Sequence, residues 1–190
     1  VLIFIQDRYN QFRRIPMKIK NLTFIALILL NFGCKNSSQK SESNSIQIDV
    51  NTENTMEQKS LIDFGNEYAN AWSSQKPERV ADFFATDASL KVNDGEPAVG
   101  TEAIINVAKG FMDAFPDMIV AMDSLITKSN KTRFYWTLTG TNNVPGGTGN
   151  KVKISGYEEW TMNKEGLVQE SKGHFNAEEY NRQLNGEVPE

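Results

Sequence analysis

Four residues near the C-terminus make the chain's best case for chemistry: Glu158, Lys172, His174 and Asn176. In 152–162, Val152, Ile154 and Trp160 recur at the period of two that places side chains on one face of a strand, and Glu158 falls on that face. A carboxylate on an apolar stripe must be paired or have a raised pKa, because burying it uncompensated is costly. In the last strand-like run, an unbroken alternation puts Val168, Glu170, Lys172, His174 and Asn176 on one face. Glu158, Lys172 and His174 are therefore expected to converge on one cavity. There His174, the chain's single histidine, would act as general acid or base oriented by Glu158. Lys172 or Asn176 would stabilise a developing enolate. The structural alternative is a Glu158–Lys172 ion pair with His174 hydrogen-bonded at the rim.

Other chemistries are excluded by supply. The 190 residues hold one Cys and one His, too few for a disulfide framework or a standard zinc site. No phosphate-cradling glycine loop or nucleophile elbow is present, so neither metal nor cofactor is expected. The net charge of −4 argues against a nucleic-acid partner.

The elements that must position these residues read as helices followed by strands. Leu61, Phe64, Tyr68 and Trp72 form a helical stripe over 56–73. Pro77 opens a second, short helix carrying Val80, Phe83 and Phe84. A brief strand at 89–92 ends in the turn Asn93-Asp94-Gly95. Thr101 is placed as N-cap of a third helix with the stripe Ile104, Ala108, Phe111 and Phe115, stopped by Pro116. Four strand-like runs follow at 118–127, 131–139, 152–162 and 167–175, joined by hairpin-type connections, so they should be antiparallel. A helix signal returns only in the last dozen residues. The pattern is α+β, with helices on one face of a sheet. Tyr68, Trp72, Phe84, Phe111, Phe115, Phe134, Trp136 and Trp160 are expected in the core, and some of them would line any cavity as ligand contacts.

Several short motifs fall in one order: Tyr68-Ala69-Asn70-Ala71-Trp72, Asp87 closing FFATDA, Gly100-Thr101-Glu102-Ala103-Ile104, Phe115-Pro116-Asp117, Trp136 with Gly140-Thr141, and Gln183-Leu184. Together they resemble the SnoaL-like, polyketide-cyclase branch of the NTF2-like superfamily over roughly residues 60–185. The resemblance implies a cone in which a strongly curved antiparallel sheet wraps three N-terminal helices around a pocket. It also implies a homodimer formed through the outer face of the sheet. The cyclases it resembles carry an Asp acid/base where this chain has Asn176, which has no titratable proton. Steroid-isomerase chemistry of the same superfamily needs a carboxylate near Val92, where Asp94 reads instead as a turn residue. The superfamily hosts enzymes and binders alike, so the fold alone does not choose.

The first third differs in kind. Met17-Lys18-Ile19-Lys20, an apolar run from Leu22 to Leu30, and Gly33-Cys34 form an export-signal pattern, too short to span a bilayer as a mature helix. Gly33-Cys34 resembles the end of a bacterial lipoprotein signal, although Asn31 and Phe32 depart from its usual residues. This implies lipidation at Cys34 and a place in the cell envelope. Residues 1–16 read as a mis-called start ahead of Met17. Removing 1–33 leaves 15 basic against 23 acidic residues, a net charge of −8. Residues 34–54 read as a Ser/Asn/Gln-rich flexible tether, and 55–187 as the folded domain. The expected function is binding of a small apolar or aromatic molecule. The alternatives are a cofactor-independent lyase or isomerase acting on an enolisable carbonyl, and an envelope protein-interaction module.

Overall fold

A computed structural model describes residues 50–187, with side chains from Gln58 onward. The signal segment, Cys34 and most of the tether lie outside the described residues. Helix α1 runs Val50–Ser73, starting within the segment read as tether and upstream of the periodic stripe. Its buried side carries Gly65, Tyr68, Ala69 and Trp72. Gly65 sits under two side chains of a crossing strand: a Cβ there would lie 2.6 Å from Met122 Sδ and 2.9 Å from Leu125 Cδ1.

Helix α2 is only Pro77–Ala81. The expected continuation through Phe84 does not form. The Phe83 carbonyl accepts Val168 N–H at 2.9 Å, and Phe84 starts β1 (Phe84–Val92). Capture by the sheet outweighs local helical preference, since a one-turn helix has little cooperative stability of its own. β1 begins five residues before the expected strand. An irregularity between Phe84 and Ser89 breaks the period-two pattern, so this stretch carries no strand signature.

A two-residue strand β2 (Ala98–Val99) pairs with β1. Helix α3 spans Thr101–Ala114, and its N-cap is Gly100 at φ 86°, not Thr101, with no side-chain cap bond. Ile104, Ala108 and Met112 are buried, while Phe111 is half-buried. Then come β3 (Ile119–Lys128), β4 (Lys131–Thr141), β5 (Lys151–Met162) and β6 (Val168–Phe175), all antiparallel in sequence as expected. The sheet order is β2-β1-β6-β5-β4-β3. β1 and β6 are parallel, so the sheet is mixed at that one seam.

A fourth helix, α4 (Ala177–Asn185), closes the domain. Asn176 is its N-cap: the side-chain oxygen accepts Glu179 N–H at 3.0 Å. Gln183 on α4 bonds both the N–H and the carbonyl of Lys153, at 2.6 and 2.9 Å, and so ties the helix to β5. The inner face of the sheet carries Phe134, Trp136, Leu138, Ile154, Glu158 and Trp160, all buried. The outer face carries Arg133, Tyr135, Tyr157, Glu159, Lys172 and His174.

Candidate functional site

Glu158 is where the alternation of β5 predicts, 7% exposed on the inner face. Among the described residues, no cation pairs with it. Instead three donors from three elements converge on Oε2: Tyr68 Oη at 3.0 Å, Trp160 Nε1 at 2.9 Å and Ser171 Oγ at 2.6 Å. Oε1 receives only a longer contact from Tyr68 Oη, at 3.3 Å. Burial pushes the carboxyl pKa up, while the bonds from Ser171, Trp160 and Tyr68 pull the other way without cancelling the rise. Burial and the nearby Glu158 charge in turn push the Tyr68 hydroxyl well above its ordinary range. The cluster sits in an aromatic frame. Phe134 and Trp160 stack with centroids 4.9 Å apart, and Tyr68 meets both edge-on.

Beside this cluster lies a cavity of about 50 Å³. Trp72 of α1, Phe111 of α3, and Phe134 and Trp136 of β4 form aromatic walls. Leu90 and Val92 of β1 and Val120 of β3 complete the apolar lining, and Glu158, Gly173 and Phe175 close the side against β5 and β6. Two polar groups on these walls are unpaired. The indole N–H groups of Trp72 and Trp136 are buried without a hydrogen-bond partner. Trp72 lies close enough to the Tyr68 hydroxyl to moderate its pKa, yet makes no bond of normal geometry with it.

The predicted convergence of Glu158 with Lys172 and His174 does not form. The register between β5 and β6 passes from Met162↔Val168 to Thr161↔Glu170, leaving one extra residue, Gln169, on β6. That bulge inverts the phase of everything after it. Ser171 and Gly173 turn inward and are buried, while Lys172 and His174 turn outward. Lys172 pairs with Glu170 at 3.0 Å, not with Glu158. His174 is exposed, its ring 4.9 Å from that of Tyr157 on the outer face. Asn176 is committed to capping α4.

Of the expected aromatic contacts, Trp72, Phe111, Phe134 and Trp136 reach the cavity. Tyr68 and Trp160 stand behind it as partners of Glu158. Phe84 packs toward Tyr68, and Phe115 against Tyr180 and Gly140. Sequence reasoning missed Ser171, Leu90, Val92, Val120 and Phe175. Ser171 was within reach of a single bulge assumption; the others are brought together only by the topology. Val92, where an isomerase-type carboxylate would be needed, is an apolar wall, and Asp94 is an exposed turn residue. Among the described residues, no group of three or more His, Cys, Asp or Glu could hold a metal ion. No helix among them is long and apolar enough to cross a membrane.

Comparison with known proteins fits this architecture. The SnoaL-like polyketide cyclase family matches residues 63–184. The chain belongs to that family. A search of curated proteins found none that matches it. Among solved structures, a protein of ketosteroid isomerase-like fold from Catenulispora acidiphila, in complex with trimethylamine, is similar at TM-score 0.57 and 12% identity. That match covers 66% of this chain and 97% of the other. An NTF2-like protein of unknown function from Burkholderia pseudomallei gives TM-score 0.56 and 17% identity, covering 65% and 95%. TerC, co-crystallised with polyporic acid, gives 0.54 and 12%, covering 65% and 96%. At these identities the structures establish the fold.

Proposed function

We propose that this SnoaL-like domain binds a small apolar or aromatic molecule in the cavity beside Glu158. The observation that carries the reading is the makeup of the walls: five aromatic and three aliphatic side chains around one buried carboxyl. The two groups that could have made this an acid–base dyad, His174 and Lys172, lie on the opposite side of the sheet. Support also comes from two proteins of the same fold, whose crystals hold trimethylamine and polyporic acid. At about 50 Å³ the cavity is well below the roughly 150 Å³ of an engineered apolar cavity that admits benzene. The ligand is therefore small, or its entry swings the half-buried Phe111 aside.

Native mass spectrometry of the full chain, purified without denaturation, tests this. A co-purifying small molecule is expected in the wild type and absent in Val92→Phe, which fills the cavity from the β1 side. Equal occupancy in both proteins overturns the reading.

A lyase or isomerase reading has one observation in its favour: Glu158, with its raised pKa, is the one titratable group on the cavity wall. Proton transfer would then rest on Glu158 alone. Glu158→Gln would keep the ligand and lose turnover.

The remaining parts of the proposal concern setting. The basic start at Met17, the apolar run and Gly33-Cys34 support export to the bacterial envelope and lipid anchoring at Cys34. Intact mass of the membrane fraction, with and without Cys34→Ala, tests this, and an unmodified chain overturns it. The outer-face aromatics Tyr135 and Tyr157, with centroids 5.7 Å apart, support a homodimer through the sheet. Sedimentation at equilibrium decides that point.

A further inference from the structure

The charges of this acidic domain are sorted onto opposite sides. Residues 58–187 hold 13 Lys and Arg against 18 Asp and Glu, an excess of acid. The outer face of the sheet reverses that sign. Register sets Lys128 beside Lys131, Arg133 beside Glu159, and Glu159 beside Lys172, with Lys91 next to Lys172 across the parallel seam. Lys151 and Lys153 extend the same side of β5, both exposed. The carboxylates at these outward positions are Asp123, Glu159 and Glu170, so seven cations meet three anions. Asp117 sits at one end, where Thr141 bonds it, and leaves the face positive. Over the rest of 58–187, six cations stand against fifteen anions. Such a division repels the domain as a whole from an anionic surface and attracts it through this one face.

The uncharged residues of the face are those of an interfacial surface. Of the four large hydrophobic side chains exposed among the described residues, Val99, Ile119 and Ile126 lie here, at 63%, 55% and 55%. They belong to the two edge strands, β2 and β3. Between them Tyr135 and Tyr157 stand side by side, and the Arg133 guanidinium lies 5.2 Å from the centre of the Tyr157 ring. Lysine stems, tyrosine rings and exposed aliphatic groups all suit a headgroup layer, where apolar and polar surroundings meet, and the cations suit its negative charge. We propose that the outer face of the sheet docks on an anionic phospholipid surface. The proposal goes beyond the cavity ligand and draws on the anchor proposed at Cys34. Fifteen residues separate Cys34 from Val50, at most about 50 Å of chain, so an anchored domain stays within reach of the bilayer. A second copy and a bilayer exclude each other on this face. The sign of the charge favours the bilayer, because two copies would set one positive excess against another. A docked molecule is therefore a monomer, with its acidic sides toward water.

The test uses the full chain with Cys34→Ala, so that lipidation plays no part. Vesicles are made of phosphatidylcholine alone or of equal parts phosphatidylcholine and phosphatidylglycerol. A membrane-impermeant acetylating reagent, read by mass spectrometry, reports the exposure of each lysine. On the mixed vesicles Lys128, Lys131, Lys151, Lys153 and Lys172 should react more slowly, while Lys59, Lys76 and Lys109 keep their rates. Phosphatidylcholine alone should protect neither set, and added salt should release the face. Lys151→Glu with Lys153→Glu should weaken docking about 30-fold, at about fivefold for each cation removed, and so expose Lys128 and Lys131 again. No protection on the mixed vesicles overturns the proposal, as does equal protection of both sets or protection of the face by phosphatidylcholine alone. Protection that needs no vesicles and grows with protein concentration also overturns it, since a second copy then covers the face. The cavity ligand and lipidation at Cys34 are read by native and intact mass, so either can fail without this result changing.

Discussion

Glu158 and Glu159 are neighbours in one strand and share a side chain, yet they live in opposite chemistries. Glu158 faces inward, without a cation, held by three neutral donors, and its pKa is pushed up by burial. Glu159 faces outward between Lys131 and Arg133, and their bonds and charge hold its pKa below the usual carboxylate range. The strand's period of two produces this contrast from a single step along the chain. The inner carboxylate was expensive to bury and is fixed by geometry, whereas the outer one is solvated and replaceable. In the proposed binding reading, that inner group is the polar feature on the wall of an apolar cavity.

The largest expected effect breaks the inner cluster. Glu158→Ala strands the Tyr68 hydroxyl, the Trp160 indole and the Ser171 hydroxyl, each buried, and should destabilise the fold by about 3 kcal/mol or more. Glu159→Ala, removing an exposed pair of bridges, should cost under about 1 kcal/mol. Urea denaturation of the two variants measures both values. Similar losses would mean that the two faces are not energetically distinct.

Next comes a test of how tightly the inner face is built. A Cβ on Gly156 would lie 2.4 Å from the His174 carbonyl oxygen and 2.6 Å from the Trp136 ring. One of those atoms is backbone and cannot step aside, so Gly156→Ala should cost about 2–3 kcal/mol and displace Trp136 from the cavity wall. Gly65 is a useful contrast, because its contacts are the flexible ends of Met122 and Leu125. A gain in helix propensity of about 1 kcal/mol offsets much of the crowding there, so Gly65→Ala should be close to neutral. Thermal melts of the two variants, with the Trp136 indole resonance as local reporter, give the answer.

Protonation sharpens the comparison because the two carboxyls have opposite linkage. Glu158's folded pKa is raised above 4.5, so the stability it contributes is full below that value and is lost as pH rises through the folded pKa. Glu159's is lowered, so its contribution is present above 4.5 and is lost as pH falls through the folded pKa. Glu179, held at about 2 first by Arg182 and then by Gln183, adds to the same acid-side loss. Glu158→Gln should flatten the decline above 4.5 and leave the acid limb alone. Glu159→Gln should soften the acid limb and leave the other untouched. Urea midpoints from acid to neutral pH separate the two, and matching profiles would contradict the assigned environments.

The contrast also marks what the sequence could and could not reveal. Glu158 was legible because Val152, Ile154 and Trp160 flank it at an unbroken period, and the hairpin connections between β3 and β6 announced their turns. β6 was misread because its inward residues, Ser171 and Gly173, are small and give no hydrophobic signal. Both lie beside Glu158: the Ser171 hydroxyl donates to its Oε2 at 2.6 Å, and its Cγ lies 3.6 Å from where a Gly173 Cβ would be, an ordinary contact. The bulge at Gln169 that sets this phase has no signature of its own in the chain. The apolar walls from β1 were hidden for another reason. The parallel pairing of β1 with β6 joins Lys91 to Lys172 and Val92 to Gly173, a contact across most of the domain that no local pattern encodes.

The smallest expected effect is the most discriminating for mechanism. His174 is the single histidine of the chain, and sequence periodicity placed it beside Glu158. The bulge places it outside, against Tyr157, with the sheet between it and the cavity. His174→Ala should therefore leave the affinity for any cavity ligand unchanged, as should Lys172→Ala, whereas Val92→Phe abolishes it. Calorimetry on the three variants with the small molecule that co-purifies with the wild type compares them directly. A loss with His174→Ala as large as that with Val92→Phe would mean that the histidine reaches the ligand. The division between inner and outer face would then fail at the place where it matters most.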